Sequence, residues 1–124
     1  MGVNNYDLKT AHKLIGSAGT VSLDMGRVPA GMKRWITFLD IQSVHTGRQR
    51  VYLCSTPTDL YTTTLTRASA AAKYRCDLSP DEHQFLPKGP RDPDNPVFAI
   101  AASNYVTAIT DRGNALLTLQ YFDR

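Results

Sequence analysis

Residues 33–44 read K-R-W-I-T-F-L-D-I-Q-S-V, and the reading of this run decides the fold. β-Branched and aromatic side chains crowd it, and such residues suit a pleated surface while losing χ1 freedom in a helix. Trp35, Leu39 and Ile41 share one parity, and Ile36 and Phe38 the other. A strand apolar on both faces is either buried on both sides or broken by a bulge. Trp35, in the longest apolar strand, is expected to lie mostly buried near the middle of the sheet. Just upstream, Val28-Pro29-Ala30-Gly31 is turn chemistry, with a proline that presets one φ and a glycine free to take a positive one.

Downstream, His45-Thr46-Gly47-Arg48 reads as a tight turn and residues 50–55 (R-V-Y-L-C-S) as the returning strand, so a hairpin is expected. Asp40 would then find its partner in Arg34 or Arg50 across that hairpin. Residues 60–66 (L-Y-T-T-T-L-T) read as a further strand, and residues 73–78 as a short strand or a sheet edge. Residues 79–95 carry Pro80, Pro87, Pro90 and Pro93, which argues for a long surface loop. Strands are expected again at 97–101, 105–110 and 115–122. They are joined by residues 102–104 and by Asp111-Arg112-Gly113-Asn114, the second a hairpin turn. Short strands at regular spacing, separated by turn signals, predict an all-β protein: an antiparallel β-sandwich, jelly-roll-like.

Upstream of the deciding run, Val21, Leu23 and Met25 alternate with Ser22 and Asp24, as in a half-buried strand. Residues 4–18 allow two readings. Leu8, Ala11 and Ile15 fall on one helical face, with Asn5 as a cap and Gly16 as a stop. The segment equally suits an extended arm, because a short helix is marginal without tertiary support. Leu8, Leu14 and Ile15 are apolar residues on a tether, ahead of the loose joint Gly16-Ser17-Ala18-Gly19. They are the candidate subunit contacts, hidden against a neighbouring chain. The expected organisation is therefore a short N-terminal arm or helix, 1–18, followed by a β-sandwich domain, 19–124.

Composition narrows the function. The 124 residues suit a single core, and a chain of that size needs neither disulfide nor metal to fold. The net charge of +3 is scattered, with small clusters only at Lys33-Arg34 and at Arg48 and Arg50, so nucleic acid is not an expected partner. The first twenty residues lack a basic start and an apolar run, so no signal peptide is expected. No stretch approaches the roughly 18 apolar residues of a membrane span, so no membrane is expected either.

Chemistry-bearing motifs are sparse. Cys54 and Cys76 belong to no CxxC pair, which argues against zinc and leaves two buried free thiols or one disulfide. His12, His45 and His83 show no i, i+2 or i, i+4 spacing for a metal, and no serine stands in a GxSxG elbow. No catalytic, cofactor-binding or metal-ligating residue is assigned, and the chain is not expected to be an enzyme.

Two segments resemble a known group. They are residues 28–41 (V-P-A-G-M-K-R-W-I-T-F-L-D-I), and the set formed by 95–100, 105–109 and 117–122. Together they resemble the turn-and-strand patterns of small β-sandwich proteins of tailed-phage virions, which decorate or cement capsids or sit on tails and fibres. The resemblance implies a structural virion protein, most simply a capsid decoration subunit. It would be made in the host cytoplasm, form a homo-oligomer, contact other virion proteins and use no cofactor. The alternative is a ligand- or carbohydrate-binding module with Tyr61, Tyr74 and Tyr105 as its platform. A third reading, an enzyme on a cupin-like barrel, requires His12, His45 and His83, or two of them with a carboxylate, to converge in one pocket.

Overall fold

The phase conflict in the deciding run is resolved by a bulge. In the computed structural model, which describes residues 7–17, 21–22, 25–57 and 72–124, strand β3 (Arg34–Ser43) places Ile36 opposite Tyr121 and Phe38 opposite Gln120. Thr37 is thus the extra residue, and its Oγ1 donates to the Gln120 carbonyl at 3.0 Å. A bulge flips the alternation beyond it. Ile36, Leu39 and Ile41 all turn into the core, while Trp35, Phe38 and Asp40 face outward and are only half-buried. The expectation of a mostly buried Trp35 is therefore corrected: it lies on the outer face, because the bulge spends the inward positions on aliphatic residues.

Among the described residues there are eight further strands and no helix. They are β1 (Lys9–Ile15), β2 (Val21–Ser22), β4 (Gln49–Thr56), β5 (Ala72–Leu78), β6 (His83–Leu86), β7 (Phe98–Ile100), β8 (Tyr105–Thr110) and β9 (Ala115–Asp123). One antiparallel sheet runs β1-β9-β3-β6, with β7 beside the first residues of β3; the other runs β2-β8-β4-β5. The expected all-β sandwich is what the chain forms. Between the sheets lie Ile15, Val28, Ile36, Leu39, Ile41, Val51, Leu53, Leu78, Ile100, Leu117 and Leu119, each at most 1% exposed.

The two tight connections differ from expectation. Strand β3 pairs with β9 on one side and with β6 and β7 on the other, whereas β4 lies in the second sheet between β8 and β5. Residues 44–48 therefore carry the chain across the sandwich and do not close a hairpin. Residues 111–114 do the same between β8 and β9. The turn signals report reversal correctly, but a turn does not dictate which strand becomes the neighbour. The crossovers are tied to the strand ends: Val44 N donates to Asn114 O at 3.2 Å and Asp111 N to Arg50 O at 3.0 Å.

The N-terminal segment is neither a helix nor a free arm over residues 9–15. Strand β1 pairs antiparallel with β9 from Lys9 opposite Tyr121 to Ile15 opposite Ala115. Its odd positions Ala11 and Ile15 turn toward the core, while its even position Leu14, like Leu8 just before the strand, stays exposed. Pairing to a neighbouring strand satisfies the backbone that a short isolated helix would leave marginal. The proline-bearing stretch also contains a strand: β6 occupies the proline-free interval between Pro80 and Pro87 on the edge of β3. The strand expected at 60–66 lies outside the described residues.

Candidate functional site

The outward face of the first sheet gathers the surface features that β1, β9, β3 and β6 bring into register. His12 stands opposite Thr118, and Thr118 opposite Asp40. His12 Nδ1 and Thr118 Oγ1 are 2.7 Å apart. At the far side of the sheet, His83 Nδ1 lies 3.1 Å from Asp40 Oδ1, and the imidazole leans on Phe85 at 5.7 Å between centroids. The partner expected for Asp40 was Arg34 or Arg50; both are engaged elsewhere, Arg34 by Asp123 and Arg50 by Asp77. Separate sheets put Arg50 out of reach of Asp40.

Of the three residues assigned as subunit contacts, Ile15 is not available: it is 1% exposed and belongs to the chain's own core. Leu8 and Leu14 are open, at 39% and 52% exposure. Leu14 has a neighbour that sequence reasoning missed. It stands opposite Leu116, and Val44, 47% exposed, lies at the same end of the face, where its N donates to the Asn114 carbonyl. Leu14, Leu116 and Val44 are the apolar residues at this corner of the face, with Gln42 opposite Leu116. The signal for Val44 was absent from sequence because it depends on the crossover at 44–48.

At the opposite end the stretch after β6 folds back over the face. Val97 N donates to the Ile36 carbonyl at 2.8 Å. The guanidinium carbon of Arg91 sits 3.5 Å from the Phe38 ring centroid, and Lys88 Nζ is 4.8 Å from that of Phe85. Such cation–π contacts contribute about 0.5–1 kcal/mol each at exposed positions. Two shallow clefts result. One, of about 250 Å³, is lined by Phe38, Asp40, His83, Phe85 and Arg91. The other, of about 340 Å³, lies between Trp35, Pro93, Pro96 and Phe122.

No family model matches the chain, and no curated protein matches it. Among solved structures, the crystal structure of PirA aligns over 97% of this chain and 95% of its own, at 12% identity and a TM-score of 0.44.

The other residues considered from sequence do not converge. His45 sits in the 44–48 crossover against Gly113, away from His12 on β1 and His83 on β6, and these two are separated by β9 and β3. Among the described residues no group of three His, Cys, Asp or Glu is placed to hold a metal. Tyr74 is half-buried against the core with its hydroxyl on Gln84 at 3.3 Å, and Tyr105 lies under Arg27 at 5.5 Å. They form no shared platform, and Tyr61 lies outside the described residues. Cys54 and Cys76 are both buried, and no disulfide joins them. Cys76 faces the core with Val51 and Leu53, while Cys54 packs with Tyr52 and Ile109 in a separate cluster, so alternation puts the thiols on opposite faces of the second sheet.

Proposed function

We propose that this protein is a structural subunit working through protein–protein interfaces, and that its place is a virion, as a decoration or cement protein on a phage-like capsid. The observation that supports this most is the apolar corner of Leu14, Leu116 and Val44 beside β1. That strand has β9 on one side and no partner strand among the described residues on the other. An open strand edge presents unpaired backbone groups, and Lys9 and Lys13 on β1 are the kind of charge that keeps such an edge from pairing indiscriminately. The occupant is a second copy of the chain, joined edge to edge so that the leucines of each copy cover those of the other. A symmetric contact of this kind needs only one surface patch. Each leucine fully buried there contributes about 1.5–3 kcal/mol.

The test is the particle mass in solution by light scattering, set beside recovery of the chain in particles purified from its source. A homo-oligomer that Leu14→Asp reduces to monomer, and a variant lost from the particles, are the expected results. A monomer at high protein concentration would remove the interface, and absence from particles would remove the virion.

A further inference from the structure

A second site lies at the same end of the sandwich as the apolar corner, on the side of the second sheet, where the two crossovers meet. The cleft there has a volume of about 340 Å³ and is lined by Arg48, Gln49, Arg50, Asp77, Asp111 and Arg112. That volume is at the small end of the about 300–1,000 Å³ of small-molecule sites. Three guanidiniums face two carboxylates, which leaves one net positive charge.

The frame of the cleft is rigid. Arg50 N donates to Asp111 Oδ1 at 2.7 Å, and Asp111 N returns a bond to the Arg50 carbonyl at 3.0 Å. Arg50 Nε is held on Asp77 Oδ1 at 2.7 Å, which keeps the Asp77 carboxyl below its ordinary range. Gln49 is 3% exposed, and its Nε2 donates to the Arg112 and Asn114 carbonyls at 2.8 and 3.2 Å. Its Oε1 is buried with no donor among the described residues.

These groups ask for a ligand of mixed character. The surplus guanidinium charge wants an anion, and Arg forks match carboxylates bidentately. Asp77 and Asp111 have room for further hydrogen-bond donors, and the two carboxylates repel a ligand that is anionic throughout. Hydroxyls donate to carboxylates and amide oxygens and accept from guanidiniums. We infer that this cleft binds an acidic saccharide, a hexuronate unit whose carboxylate sits on Arg48 and Arg112 while its ring hydroxyls meet Asp77 and Asp111. An acidic peptide supplies the charge with backbone N–H donors but no ring hydroxyls, and inorganic phosphate supplies it without the ring.

The experiment is a titration of the full chain with oligogalacturonate, followed by calorimetry, beside a neutral cello-oligosaccharide, polyglutamate and inorganic phosphate. The expected result is binding of the oligouronate about tenfold or more tighter than any of the three, with a loss of similar size in Arg48→Glu. Arg48 is exposed, so the variant should melt as the wild type does. Arg112→Ala, at a side chain 64% exposed, should weaken binding in the same direction. No binding of the oligouronate, equal binding of any comparator, or an Arg48→Glu variant that binds undiminished would each overturn the inference. None of these results depends on the oligomeric state.

Discussion

Arg34 and Asp123 form a bidentate pair between β3 and the last strand, Nε to Oδ1 at 2.7 Å and Nη2 to Oδ2 at 2.9 Å. Their side chains are only 3% and 15% exposed. The third arm of the guanidinium donates to the Gly26 carbonyl at 2.9 Å, and its plane lies 4.7 Å from the Tyr121 ring. Each of the three nitrogens of this buried cation therefore has a partner. Arg34→Ala should destabilise the fold by about 3–5 kcal/mol, because it leaves a largely buried carboxylate alone. Arg34→Lys should recover only part, since an ammonium cannot make the fork. Chemical denaturation of the two variants measures both.

Gly113 has φ 64° and sits against His45, whose ring a Cβ at this position would overlap. Gly113→Ala thus combines left-handed backbone with a clash in the 111–114 crossover. A loss of about 1–3 kcal/mol is expected. Adding His45→Ala should return part of that loss by making room, a non-additive result that thermal melts of the double variant detect.

Burial pushes the Cys54 thiol up from its ordinary 9.0 to about 11 and that of Cys76 up to about 12. Unfolded thiols ionise near pH 9, while the folded ones keep their protons, so the folded state binds more protons above that point and stability falls as pH rises. Below pH 9 both states are protonated and these thiols add no slope. The melting midpoint should therefore decline between pH 9 and 11 more steeply in the wild type than in a Cys54→Ala, Cys76→Ala variant. Reductant should leave the wild-type midpoint unchanged, because the two thiols occupy opposite faces of a sheet.

Trp35 lies on the outer face, with its Nε1 reaching the Arg124 carbonyl at 3.4 Å. Trp35→Ala should cost less than the about 3–5 kcal/mol of an aromatic removed from a core. Wild-type fluorescence should be quenched by acrylamide in the folded state. A tryptophan inaccessible to the quencher would contradict this placement.

Local chemistry by itself determined that the chain is all-β, where most of its strands lie, and that the apolar run at 33–44 needs either two buried faces or a bulge. These features follow from side-chain branching, period-two alternation and turn residues, which act over a few positions. Leu8 and Leu14 were picked out as apolar residues, but together with Ile15, which the fold places in the core. Only the tertiary structure decided that Thr37 is the bulge, that β3 and β4 part into different sheets, and that residues 9–15 join β9 as a strand. Each depends on which distant segment offers unpaired backbone groups, a long-range competition with no trace in any local window. The apolar corner and the arginine cleft were hidden by the same cause. Val44 lies 30 residues from Leu14 and 72 from Leu116 in sequence, and Arg48 and Asp77 are as remote from Arg112. The two sheet-crossing connections, with the β1–β9 and β4–β5 pairings, bring each set together.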